Sequence, residues 1–260
     1  MLTLTSDRSD MMKLTSWFNE YITTHTPAEA WNNEAALARR MCIRHAYDEA
    51  CARYVLQSAD AFIQGGNCNP ANARALFFAL EKTGEDKYRE AIQRVMTALD
   101  AQIAGELDLS AACDTLPFRM AYEMKLNRME RVGATAAMFR SVHQRLWDGK
   151  LQRHSVSLQE EGWFLLALTD AIAVCSDQLY EHWRAMVDIY RVTLRGALPV
   201  LSEADAQTQA LLLYALLTGV EMGLIDPERY LPMARKGIAA LRANGEERAA
   251  DMLGEGVGVQ

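Results

Sequence analysis

Apolar residues recur every three to four positions along almost the whole 260-residue chain, and no stretch alternates apolar with polar at period two. That pattern restricts the chain to helices. A helix with an apolar stripe has to bury it against another helix, so the predicted fold class is all-α. The spacing predicts helices over about 10–24, 28–45, 46–63, 70–83, 85–104, 114–128, 131–147, 158–174, 177–197, 203–222 and 227–243. Several boundaries carry their own chemistry. "EKTGEDKY" puts Gly84 at a helix end and acids in the next first turn, where the helix dipole favours them. "GLIDPERY" offers Asp226 as a cap and Pro227 as the first helical residue. "LSEADAQ" offers Ser202 as a cap, with Asp205 three residues on as an imperfect capping box. Short turns between long amphipathic helices imply antiparallel hairpins. No linker rich in Pro, Gly or Ser divides the chain, and no motif returns at a fixed period, so residues 1–260 are expected to form one domain.

Composition excludes several function classes. Half of the residues are hydrophobic, enough for a sizeable core. A formal net charge of −7 argues against a nucleic-acid or anionic-membrane partner. The run "ALLLYALLTGV" is far shorter than the roughly 20 apolar residues that span a bilayer. Five cysteines at irregular spacing, with no CxxC, point to reduced thiols. The N-terminal "MLTLTSDRSDMMKL" lacks the basic and apolar regions of a signal peptide. A soluble, cytoplasmic protein is the expectation. His45 with Asp48 and Glu49, or His143, stand on helix faces without an HExxH pattern, so no metal and no cofactor are expected. Neither a GxSxG elbow nor a GK[ST] phosphate loop occurs. The 13 methionines sit among Leu and Ala at helical spacing and read as core filler.

Two stretches hold the chemistry. In "AACDTLPFRMAYE", Asp114 precedes an apolar run and reads first as a helix cap. The same position suits an acid-base carboxyl, desolvated by Phe118 and Cys113 while the helix dipole pulls its pKa the other way. In "KLQRHSVSLQEEGWFLLALTDAI", His154 reads as a solvated loop histidine. Gly162 stands before Trp163 at the start of an apolar helix, where glycine costs stability. Either close approach of a ligand to the backbone or tight helix packing explains it.

Taken in order from about residue 60 to 258, these segments resemble the unsaturated uronyl hydrolases of glycoside hydrolase families 88 and 105, the rhamnogalacturonyl enzymes above all. "ALFFALEKTGEDKYREAIQRVMTAL" is similar to the family's helix pair around a TGD-x-x-Y turn. "CDTLPF" resembles its W-x-D-T-L-F segment. "DGKLQRHSVSLQEEGWFLLALTDAI" resembles the stretch from a substrate-contacting His to an R-G-N-G-W motif. "LLYALLTGVEMGLIDPERYLPMARKGIAAL" and "GEGVGVQ" resemble the penultimate helices and the GTGVG loop.

The resemblance implies an (α/α)6 toroid of antiparallel helix hairpins. It also implies a glycosidase of polysaccharide degradation that hydrates the C4–C5 double bond of an unsaturated uronic acid on a small oligosaccharide. Asp114 would be the general acid/base, His154, Gly162 and Gln159 substrate contacts, and Trp163 a stacking platform. The departures are specific. The family's Trp two residues before the Asp is Ala112, its Arg is Gln159, its Asn is Glu161, and where its second acid falls, "GGNCNPAN" supplies Asn67, Cys68, Asn69 and Asn72 but no acid. Neutral Gln159 cannot form a bidentate charged pair with a carboxylate, and Glu160 and Glu161 add negative charge beside it. The chain stops at Gln260, where family members continue, which implies a ring incomplete at the C-terminus and an exposed apolar side open to a second copy. The alternative these departures favour is a catalytically degenerate member serving as a carbohydrate-binding or assembly module.

Overall fold

The computed structural model describes residues 16–27, 49–66, 68–102, 106–175 and 179–253. Their helices are α1 (Ser16–Thr24), α2 (Glu49–Gln64), α3 (Pro70–Thr83), α4 (Asp86–Gln102), α5 (Leu109–Lys125), α6 (Val132–Leu146), α7 (Leu158–Val174), α8 (Tyr180–Ala197), α9 (Ala206–Glu221), α10 (Pro227–Ala243) and α11 (Glu247–Asp251). A two-residue hairpin, β1 (Trp147–Asp148) with β2 (Arg153–His154), is the only sheet among the described residues, and a 3-10 turn covers Leu198–Glu203. The fold is all-α. The helix expected over 28–45 lies outside the described residues.

Alternate helices form two layers. α3 packs on α5, α5 on α7 and α7 on α9, while α2, α4, α6, α8 and α10 each lie against one or two of these. Sequence decides the layer. α4 buries Tyr88, Ala91, Ile92, Val95, Met96 and Leu99, a single stripe at helical spacing with solvent on its other side. α9 instead buries every residue from Ala210 to Val220, and α7 every residue from Phe164 to Thr169, so both must be covered all round. Each large side chain so buried contributes about 1.5–3 kcal/mol. Glycines set the closest approaches. A Cβ on Gly219 would lie 2.0 Å from the Tyr190 hydroxyl, and that buried hydroxyl donates to the Ala215 carbonyl at 2.8 Å. The last element, α11, touches α9, α10 and α1, so the two ends of the described chain meet.

Local signals place most boundaries. Asn69 caps α3 by accepting from the Ala71 and Asn72 N–H groups at 2.9 and 3.2 Å, ahead of Pro70. Gly84 closes α3 with φ 71°, its N–H donating to Leu80, and Asp86 follows in the first turn of α4. Asp226 caps α10, accepting from the Glu228 N–H at 3.0 Å. Ser202 is not the cap of α9: it lies in the 3-10 turn, and Asp205 itself accepts the Thr208 N–H at 2.9 Å and the Thr208 hydroxyl at 2.8 Å. No helix among the described residues is long and apolar enough to cross a membrane.

Candidate functional site

Asp114 does not begin a helix. Asp108 does, its Oδ1 accepting the Ala111 N–H at 2.7 Å, so α5 starts five residues earlier than its pattern implied. Pro117, which has no N–H to give its helix, lies well inside α5. Asp114 is therefore the sixth residue of a helix buried nearly all round, and is itself half-buried between Cys113 and Thr115, which are both buried. The capping reading falls, and the N-terminal dipole acts on it weakly at that depth.

α7 begins with a full capping box: the Ser157 Oγ accepts the Glu160 N–H at 3.2 Å, and the Glu160 Oε2 accepts the Ser157 N–H at 2.9 Å. Ser157-x-x-Glu160 was legible and would have placed the helix start unaided. Gln159 follows in the first turn, half-buried. Gly162 is buried because a Cβ there would lie 2.7 Å from the Leu211 Cδ2 and 2.9 Å from its Cγ. Of the two explanations open for it, tight helix packing, α7 on α9, is the one the geometry carries. Trp163, half-buried, is the sixth residue of α7, as Asp114 is of α5.

His154 differs most from its expected setting. It is no solvated loop residue: it ends β2, opposite Trp147, with 0% of its surface exposed. Its N–H donates to the Glu161 Oε1 at 2.8 Å, and its ring Nδ1 lies 3.4 Å from the same oxygen. Its Nε2 stands 2.8 Å from the His143 Nδ1, so one imidazole donates and the other accepts. Phe164 and Trp147 meet the ring edge-on at 5.4 and 5.7 Å between centroids. Burial, and next the adjacent His154 ring, push His143 down to about 4. Glu161 is fully buried too, with the Arg153 Nη1 3.6 Å from its Oε2. Its charge faces Arg153 and the His154 N–H and adds nothing to the surface beside Gln159. A carboxylate, two imidazoles and a guanidinium, joined between the hairpin, α6 and α7, make this part of the interior polar.

One further pair escaped notice in the sequence. Arg74 of α3 donates to Asp170 of α7 at 2.5 Å, with side chains 15% and 12% exposed. Asp170 is seven residues from Trp163 and so shares its face of α7. The two partners are 96 positions apart, and no local spacing announces them. Among the described residues no group of three or more His, Cys, Asp or Glu is placed to hold a metal ion.

No family model matches the chain, and no curated protein does. Solved structures do. A family 105 glycoside hydrolase of C. acetobutylicum superposes with a TM-score of 0.71 at 18% identity, over 87% of this chain and 82% of that one. A polysaccharide lyase superposes with a TM-score of 0.66 at 14% identity, over 87% and 81%. The chain shares their fold. At these identities the likeness concerns the path of the backbone, and the residues above carry whatever chemistry follows.

Proposed function

We propose that the chain is a carbohydrate-processing protein, and that it hydrates the C4–C5 double bond of an unsaturated uronic acid at the end of a short oligosaccharide. The observation that carries the reading is the placement of Asp114 and Trp163. Each is the sixth residue of its helix, each is half-buried, and α5 and α7 pack on one another with one helix between them in the chain. An acid and an aromatic platform on two packed helices suit a ring that needs a proton delivered from its edge. By their names, one of the superposed structures is a glycoside hydrolase and the other a polysaccharide lyase.

In this reading the Asp114 carboxyl gives its proton to C4, and positive charge develops at C5, shared with the ring oxygen. The carboxylate left behind takes a proton from the water that adds to C5. The product is a hemiketal, whose ring opens to a ketone, and the hemiacetal then left at C1 breaks down to an aldehyde and releases the next sugar. One carboxyl serves both steps. Trp163 supports the ring, and the Gln159 amide hydrogen-bonds hydroxyl or carboxylate oxygens. His154 and Gly162 act through the scaffold: the first ties the hairpin to α7, the second lets α9 approach.

The complete burial of His154, where a substrate contact was expected, favours a second reading, in which the same surface binds a saccharide without turning it over. Unsaturated rhamnogalacturonan and glucuronan disaccharides separate the two. Loss of the conjugated enol-acid absorbance with the wild type, reduced about 10²–10⁴-fold in Asp114→Asn, is the expected result. No loss with either protein, both folded by circular dichroism, refutes hydration and leaves the binding reading.

A further inference from the structure

A cleft of about 580 Å³ opens between the β1–β2 hairpin and the end of α8, within the size range of small-molecule sites. Trp147, Gln152 and Arg153 line it from the hairpin, and Arg195, Val192 and Glu203 from α8 and the 3-10 turn. None of the residues assigned to the α5–α7 surface takes part in it. Its walls are firmly joined. A Cβ on Gly196 would lie 2.3 Å from the Gln152 carbonyl oxygen and 2.9 Å from the Arg153 Cβ, so the hairpin is seated directly on α8 beside Arg195. At its tip, Gln152 adopts φ 54°, a conformation non-glycine residues seldom take, held by the Asp148 carboxylate accepting from the Lys150 and Leu151 N–H groups at 2.7 and 3.2 Å. Leu151 stands 55% exposed on the rim.

The two arginines differ in what they have left to offer. Arg153 donates to the Val156 carbonyl at 3.2 Å and faces buried Glu161. Arg195 donates only its Nε, to the Arg191 carbonyl at 3.2 Å, and meets no carboxylate among the described residues. Its two terminal nitrogens make no hydrogen bond or ion pair among the described residues and remain available as cationic donors. Beside them stand an indole, which offers a ring face, and the Gln152 amide and Glu203 carboxylate, which suit hydroxyl groups.

From this combination we propose that the cleft is a second saccharide site, specific for a saturated uronic acid residue. The sugar carboxylate pairs with Arg195, the ring lies against Trp147, and hydroxyls bond Glu203 and Gln152. It does not depend on the hydration chemistry proposed for Asp114, because it shares no residue with that surface.

Titration calorimetry of the whole chain with digalacturonic acid tests it, with a neutral galactose disaccharide and inorganic phosphate as comparison ligands. Digalacturonic acid is expected to bind, at least ten-fold more tightly than the neutral disaccharide. Arg195→Ala, an exposed change that leaves the fold intact, is expected to weaken it ten-fold or more. Glu203→Gln is expected to keep most of the affinity, and Trp163→Ala all of it. The proposal is overturned by an absence of binding, by Arg195→Ala binding as the wild type does, or by loss of binding in Trp163→Ala alone. Phosphate displacing the sugar at equal concentration also overturns it, since the cleft would then hold a bare anion.

Discussion

Replacing Glu161 by alanine should damage the fold far more than its place beside a candidate site would imply. Three losses add. The buried His154 N–H loses its acceptor, which costs about 1–3 kcal/mol. One buried methylene goes, at about 0.8 kcal/mol. The Arg153 guanidinium and the His154 ring lose the carboxylate they face, and the space left cannot refill from α7, where Gly162 is already against Leu211. A total of about 2–4 kcal/mol is expected. For a chain of this length each kcal/mol moves the midpoint by about 2–4 °C, so Tm should fall by about 4–16 °C. Glu161→Gln keeps the shape and an acceptor for the N–H, and should cost less than about 1.5 kcal/mol. Urea unfolding followed by far-ultraviolet circular dichroism gives both differences. An alanine variant within about 0.5 kcal/mol of the wild type refutes the structural role of Glu161. A glutamine variant as damaged as the alanine one also refutes the reasoning, since charge would then outweigh the hydrogen bond.

The remaining expectations concern proton linkage, packing and capping. His143 is held down to about 4 in the folded protein and titrates near its ordinary value when unfolded, so the unfolded state binds the proton first; stability should fall as pH drops from about 6.5 towards 4. Urea midpoints at pH 7 and pH 5 should show a smaller drop for His143→Gln than for the wild type, and an equal drop would contradict the cause given. Gly162→Ala gains about 1 kcal/mol of helix propensity and loses about 1–3 kcal/mol to the clash with Leu211, a net cost of about 0–2 kcal/mol that Leu211→Ala should cancel in a double-mutant cycle. Asp205→Ala should cost about 1 kcal/mol as the loss of a cap, whereas Ser202→Ala should change the same midpoint by less than about 0.5 kcal/mol.

Where a helix boundary depends on two or three neighbouring residues, the chain announces it. Pro70 after Asn69, Gly84 after a helix, and Pro227 after Asp226 each bring their own donor, acceptor or backbone preference, and α3, α7 and α10 stand where the periodicity puts them. The split into buried and half-buried helices is equally local, because it follows from whether apolar residues occupy one stripe or the whole circumference. Choices between equivalent residues are not local. Asp108 and Asp114 can each cap α5, as Ser202 and Asp205 can each cap α9, and the packing of the whole helix selects one of each pair. Nor are contacts between elements local. Arg74 finds Asp170 across 96 residues, and the His154 ring leaves water because a hairpin folds it beneath Trp147, onto His143 and Glu161. A polar residue in a polar stretch looks solvated until its partners arrive from other elements. For that reason the sequence places Asp114 and Trp163 on their helices, but the buried carboxylate–imidazole chain exists only once α6, the hairpin and α7 have packed.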